Sequence, residues 1–519
     1  MMALLDRIFI LSVAVVLFAL VPVATAQERN GGINMGRNDR IVIVGGGPAG
    51  VHYATLLVKK GFTNITILEQ SHEVGGKSKT VLDPQGGYPH ELGTCYATAL
   101  YQPVFDLLKE YDPTNTLIPF IPTVKGHTWV NRDANQSVVD YNRYALQLAV
   151  QAVGPSPLPK LMATVDAAFA SYISLHTSIL GVYDYGLPPR PSNWTRLNMT
   201  GFEFLKHNKL LVLEGFFRFV FQQQGYGSLD ESPAFYMLWW VHPDTIRQKQ
   251  AADSKGQPWV YVLSKGYQSL WKAMVDKYPS QIDVRVNTKV IQITRTNPIV
   301  ITVQTNNVVP GIIWADHLVM ATDLGYMVTL PSDLNLREFR FSKNLASSAF
   351  VVTLFQSDAS PIESVSQWWP SRGVGAAEGQ LQLTRNSRLA LFNPLPAHRF
   401  PSDPVATNWG VNATGRQSRV AYQFFNRQVR TSDSAASKKQ LLADLADAAF
   451  ANATIHTQVV HSYFPRCNLT QLQQGVPWAV WENQGRIKTT WIGSSVSFES
   501  VLDVVVYNNN LINRVNMTN

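Results

Sequence analysis

The stretch Ile41–Glu69 constrains the fold of this 519-residue chain more than any other part of it. Ile41–Val44 is a continuous β-branched run, the pattern of a strand buried on both faces of a parallel sheet. Gly45, Gly47 and Gly50 follow at dinucleotide-binding spacing, with Pro48 and Ala49 among them. Such glycines allow the tight turn, the close approach of a pyrophosphate and close helix–strand packing. A helix over Val51–Lys60 then turns its N-terminus toward the phosphates. A second apolar run, Ile65–Leu68, ends in Glu69 and Gln70, and Glu69 is placed to accept hydrogen bonds from a ribose. Glycines alone carry little weight. Strand, turn, helix, strand and acid in that order imply an α/β fold with a Rossmann-like nucleotide domain.

The rest of the chain bears on the choice of nucleotide. Met1–Ala26 has the form of a signal peptide: Arg7, the apolar run Ile8–Val21, then Ala24-Thr25-Ala26. The run falls short of the roughly 20 residues a membrane span needs. A linker over 27–39 separates it from the first strand, and the expected location is the secretory pathway, either secreted or in an organelle lumen. Sequons agree with export, and glycosylation is expected at Asn135, Asn193, Asn198, Asn412, Asn452, Asn468 and Asn516. Asn64 is set aside because it abuts the Ile65–Leu68 strand. Soluble nicotinamide cofactors turn over inside cells, so export leaves open which dinucleotide such a chain carries.

Composition excludes several other classes. With 45% hydrophobic and 15% charged residues the chain is globular, and no repeat or low-complexity tract stands out. The net charge of +8 comes without a basic run interleaved with aromatics, so no nucleic-acid partner is expected. It suits anionic substrates or a peripheral membrane contact. Two cysteines, Cys95 and Cys467, read as separate buried residues rather than a disulfide scaffold. There is no H-E-x-x-H and no G-x-S-x-G, so no metal is expected, and His52, His90 and His242 read as structural.

Further segments carry a family resemblance. Val74-Gly75-Gly76-Lys77-Ser78 and Glu91-Leu92-Gly93-Thr94 follow Glu69, and the end of the chain reads GRIKTTWIGSSVSFESVLDVV. This arrangement resembles the flavin-containing amine oxidoreductase superfamily. The resemblance implies FAD, bound non-covalently along Gly76, Lys77, Gly93 and Thr94. A strand over Asp283–Ile293 then holds the adenine at Val290, and His317–Asp323 returns to the nucleotide sheet. Gly493, Ser494, Phe498, Glu499 and Val501 fall on the closing motif, whose helix N-terminus lies under the flavin. Ser494 stands where the superfamily has an acid. The resemblance divides the chain into an FAD domain (40–115, 256–330 and 456–519) and a substrate or cap domain (116–255 and 331–455).

The cap sequence Gly225-Tyr226-Gly227, with Asp230, Pro233-Ala234 and Tyr236, resembles the flavin-dependent polyunsaturated (polyenoic) fatty acid isomerases. The glycines break a helical pattern and Pro233 restarts one. Gly75-Gly76-Lys77, and Tyr463-Phe464-Pro465 ahead of Gln484-Gly485-Arg486, point the same way. The implied reaction converts a methylene-interrupted free fatty acid to a conjugated isomer. Hydride passes from the bis-allylic carbon to flavin N5 and back, with no net redox. Gln224, Tyr226, Phe235, Tyr236, Trp239 and Trp240 are candidates for an apolar lining, and Lys125 for the carboxylate. No catalytic side chain is required, although Tyr226 and Glu91 are the first candidates should a protein base take part. Two alternatives stay open: an amine or amino acid oxidase releasing peroxide, and a non-catalytic lipid-binding protein on the same fold.

Overall fold

The computed structural model describes residues 32–518 apart from 84–88, 120–127, 132–137, 307, 309, 327–328, 344, 359–364, 369–378, 387–415 and 430–432. The signal segment, Lys125, Asn135 and Asn412 lie outside the described residues. The glycine turn joins strand β1 (Ile41–Val44) to helix α1 (Pro48–Lys59), which leads to strand β2 (Ile65–Leu68). Proline opens α1, where its missing N–H leaves no hydrogen bond unmade, and the N-cap Gly47 offers no side chain to cover the exposed amides. Strands β3 (Ile282–Arg285), β4 (His317–Met320) and β5 (Thr489–Trp491) complete a five-stranded sheet in the order β3-β2-β1-β4-β5. Every neighbouring pair is parallel. The apolar run of β1 and all four residues of β4, whose His317 is paired with Thr490, are wholly buried, as a sheet covered on both faces requires. Helix α2 (Val501–Ile512) packs against α1.

One expected strand is two. Asp283–Ile293 reads as a continuous alternating segment, but β3 stops at Arg285 and Thr288–Thr294 belongs to a separate three-stranded antiparallel sheet. The chain changes direction at Asn287, which takes a left-handed conformation (φ 50°) that asparagine tolerates better than most residues. The alternation continues through the turn, so hydrophobic period alone could not reveal the break.

The cap is built on a seven-stranded sheet. In spatial order its strands are Thr454–Arg466, Ala346–Ser357, Gln417–Phe425, Leu381–Arg385, Val365–Trp368, Thr128–Asn131 and Val138–Asp140. The pairing of Thr454–Arg466 with Ala346–Ser357 carries this sheet to Arg466, past the boundary expected near residue 455. Helix Ser434–Asp447 packs Leu441 and Leu445 against one face of it, and Phe221 and Tyr236, from the helices Glu214–Gln222 and Ala234–Trp240, meet Phe464 near the end of its first strand. Between these two helices Gly225 (φ +78°) and Gly227 (φ +85°) take positive φ, so the chain turns there before Pro233 caps the next helix. Among the described residues no helix is long and apolar enough to cross a membrane.

Candidate active site

A cavity of about 670 Å³ runs across the C-terminal ends of β1, β2 and β4. The ends of parallel strands, beside a helix N-terminus, are where such sheets bind ligands. Gly45, Gly47, Pro48, Ala49, Glu69, Gln70, Gly76, Lys77, Thr94, Val290, Gly493, Ser494, Glu499 and Val501 all line it. Three other cofactor candidates do not. A Cβ at Gly50 would fall on the Gly45 carbonyl oxygen, and one at Gly93 on that of Lys77, so these glycines permit close backbone packing. Phe498 points into the aromatic core instead. It holds a positive φ of 86° between the helix Ser494–Ser497 and α2, and packs against Tyr226, Trp239 and Phe464.

Glu69 spans the glycine turn. Its Oε2 accepts from Gly46 N–H (2.8 Å), and its Oε1 accepts from Ser71 N–H and Oγ–H. Lys77 crosses from the Gly-Gly-Lys segment to the closing motif, forming an ion pair with Glu499 and donating to Ser494 Oγ at 3.1 Å. Ser494 therefore holds Lys77, and the acid that the position lacks is supplied by Glu499 five residues on. Burial opposes charge on Lys77, but Glu499 and Asp323 outweigh it and hold the ammonium above its ordinary value. Glu499 Oε2 also accepts from Phe464 N–H at 3.0 Å.

A second cavity, of about 60 Å³, meets the first at Lys77, Thr94, Glu499 and Val501. Its remaining wall is mostly aromatic and includes Tyr96, Tyr226, Trp240, Tyr422 and Tyr463, with Gln224 and Arg385. Tyr226 stacks on Tyr463 (centroids 6.2 Å apart, planes within 9°), and Tyr463 O–H donates to the Gln224 carbonyl at 2.8 Å. Burial pushes both phenols well above their ordinary range, and pushes the Cys95 thiol up to about 12.

Several expected site residues are placed elsewhere. Glu91 lines neither cavity: Oε1 accepts from Tyr267 N–H (2.6 Å) and Oε2 from Thr80 Oγ–H (2.8 Å), so it secures the hairpin of the antiparallel strands Thr80–Leu82 and Pro89–Glu91 to the helix beginning at Tyr267. Phe235 is core, packed against Trp194 and Trp478. Tyr236 and Trp239 border a void of only about 10 Å³, where Tyr236 Oη accepts from Cys467 N–H and Trp239 Nε1 donates to Gly186 O. A helix that is apolar all round is buried all round, and this short one is buried on nearly every face. Arg385 is the group that the motifs did not point to. Leu383 and Arg385 lie two apart on one face of their strand, while a bulge turns Leu381 to the other face, so no apolar row in the sequence marks the arginine.

Residues 48–385 match the model of the flavin containing amine oxidoreductases. The chain belongs to that family. The polyenoic fatty acid isomerase of Ptilota filicina is 24% identical over 271 residues, covering 50% of this chain and 51% of that one. An FAD-dependent oxidoreductase of Apiospora sacchari is 26% identical over 212 residues, 41% of each chain. The match thus spans about half the length of these curated relatives or less. In three dimensions the CLA-producing fatty acid isomerase from P. acnes superposes with a TM-score of 0.69 at 19% identity, over 92% of this chain and 99% of the other. A putative protoporphyrinogen oxidase from Exiguobacterium gives 0.61 at 16%. These likenesses establish the amine-oxidase-like fold.

The large cavity fits the flavin of this family. The amides of α1 face it without a side-chain cap, and a Cβ at Gly47 would project into it, meeting nothing nearer than Gly76 Cα at 3.8 Å. Thr322, on its wall, carries a buried hydroxyl with no hydrogen-bond partner in the protein, which a polar ligand would satisfy.

Away from the site, Asn193, Asn198, Asn452, Asn468 and Asn516 are exposed. Asn64 is exposed as well, because it sits on the turn before β2 rather than in it, so burial does not set it apart. Cys95 and Cys467 are separate buried thiols. His52 contacts Asn508, His90 pairs with Asp83, and His242 caps the helix beginning at Pro243. No group of metal-ligating side chains occurs among the described residues.

Proposed function

We propose that the protein is an FAD-dependent isomerase that converts methylene-interrupted polyunsaturated fatty acids to conjugated isomers without net redox. The observation that carries this reading is the small aromatic cavity opening on the flavin cavity with no free base on its wall. Its phenols are held protonated, Cys95 is held as a thiol, Lys77 is paired with Glu499, and the Glu91 carboxyl is turned away. An oxidation or isomerisation that needs a proton taken by the protein finds no partner there among the described residues. When bound, FAD supplies a two-electron group that can accept a hydride from a bis-allylic carbon and return it. The protein's own part is to hold and to exclude.

Gly76, Lys77, Thr94, Ser494 and Glu499 would hold the cofactor non-covalently, and Glu69 its ribose. Tyr226, Trp240, Tyr422 and Tyr463 would exclude water and fix the polyene, since position is the main requirement of such a transfer. The named activity of the Ptilota filicina relative supports the same substrate class. The exposed sequons support passage through the secretory pathway, which endoglycosidase treatment of protein from a eukaryotic host would test by a shift in mass.

The test of the function is to incubate holoprotein with free linoleic, arachidonic and eicosapentaenoic acids, following conjugated-polyene absorbance and dissolved oxygen together. Absorbance should rise with oxygen excluded, and label from a deuterated bis-allylic carbon should reappear within the product. Peroxide formed from amines, with no conjugated product, would replace this reading with an oxidase.

A further inference from the structure

Arg385 ends the strand Leu381–Arg385 and is about 1% exposed, yet among the described residues it has no carboxylate partner. Nη1 donates to Cys95 Sγ and Nη2 to the Glu91 carbonyl oxygen at 2.8 Å. The guanidinium lies 5.5 Å from the Tyr96 ring centroid and 5.6 Å from that of Tyr422. Nε has no partner at all. The side chain is on the wall of the small cavity, and Cys95, which it touches, follows Thr94 on the wall shared with the flavin cavity.

A guanidinium carries five donors and does not deprotonate in a protein. Buried without an anion it is costly, and it stays so until a counterion arrives. Its neighbours do not supply one. Cys95 is held as a thiol, the tyrosines as phenols, and the cation nearest along the wall, Lys77, already has Glu499. Glu91 feels the guanidinium, but burial still pushes its carboxyl up to about 7, and it is directed at Tyr267 and Thr80.

We infer that Arg385 is the anchor of the small cavity for the carboxylate of the substrate. Resting on the fatty acid reading above, this assigns to Arg385 the head-group role for which Lys125 was the sequence candidate. A monoanionic carboxylate matches the site: it accepts from Nε and one outer nitrogen along a single edge of the guanidinium, and the flanking Tyr96 and Tyr422 rings leave its approach apolar on either side.

The test uses the intact holoprotein and an unreactive ligand. Isothermal titration with palmitate and with methyl palmitate should show the acid binding roughly tenfold to a hundredfold more tightly, the usual effect of a hydrogen bond to a charged group. Arg385→Met should remove that preference while flavin absorbance and the thermal midpoint report an intact holoprotein. Arg385→Lys, which keeps the charge without the fork, should keep part of it. Equal affinity for acid and ester in the unmodified protein overturns the assignment, as does a flavin-loaded Arg385→Met that retains the preference. Should Arg385→Met not fold, the acid–ester comparison and Arg385→Lys decide alone. If the acid preference depends on Arg385 but no polyunsaturated acid is isomerised, the anion site stands and the isomerase reading falls. If turnover is normal and acid and ester bind alike, the reverse holds.

Discussion

The two adjoining cavities are built from different parts of the chain's chemistry. The large one is assembled on the glycine turns, the ends of parallel strands and a helix N-terminus. The small one is walled by side chains that converge from the cap sheet, the cap helices and the hairpin. Each also carries a cation on its wall, Lys77 partly buried and Arg385 fully so, and these are treated differently. Lys77 is given a counterion by the chain itself, Glu499, so the charge at the cofactor wall is balanced before any ligand binds. Arg385 is left with a thiol, a carbonyl and two rings. A permanent cofactor is served by a site already at electrostatic rest. A transient anionic ligand is served by a site that is not, because the unmet charge becomes a source of affinity.

This contrast can be broken at the backbone first. Gly50→Ala places a methyl on the Gly45 carbonyl and should cost about 3 kcal/mol or more of stability, as severe overpacking does. Gly47→Val should instead lose the flavin, because its side chain enters the cavity, and leave the fold near the thermal midpoint of the flavin-free parent. Both are read from flavin absorbance and thermal unfolding, and equal loss of stability in the two would blur the distinction between packing and binding glycines.

The ion pair gives the next largest effect. Lys77→Met leaves Glu499 buried and alone, and should destabilise by about 3–5 kcal/mol, whereas Lys77→Met with Glu499→Gln should recover most of that. A double variant no more stable than the single one would show that the pair's charge balance is not what matters.

Glu91 offers a pH test. Its folded pKa is raised from 4.5 to about 7, chiefly by burial, so the unfolded chain releases the proton first. Stability from this group is present below pH 4.5 and lost as pH rises toward 7, a loss on the order of 3 kcal/mol. Glu91→Gln removes that dependence. Its stability relative to the unmodified protein should be level below pH 4.5, rise through the window, and level off above pH 7, as denaturant titrations at several pH values would show.

The smallest effect belongs to Glu69→Ala. Flavin affinity should fall by about 1–3 kcal/mol through unpaired ribose hydroxyls, measured by the fluorescence of released flavin. No change in affinity would mean that Glu69 serves only Gly46 and Ser71.

Much of the large cavity was legible in advance because its chemistry is local. Gly45, Gly47 and Glu69 act through backbone conformation and position along two strands, and such constraints are written in consecutive residues. The break between β3 and Thr288–Thr294 was not legible, since alternation persists across Asn287. Nor was the tight packing of Phe235, Tyr236 and Trp239, because an aromatic helix looks the same lining a tunnel as filling a core. Glu91 reads as a candidate base until Thr80 and Tyr267 are seen to occupy both of its oxygens.

By itself, then, the order of residues determined the parallel sheet, the glycine cradle and the family to which the chain belongs. The tertiary structure alone decided which cation would be neutralised and which left unmet. Lys77 meets Glu499 across more than four hundred residues, and Arg385 meets Cys95 across nearly three hundred. Charge compensation in a low-dielectric interior depends on distances of a few ångströms between such remote groups, and no local pattern carries that information.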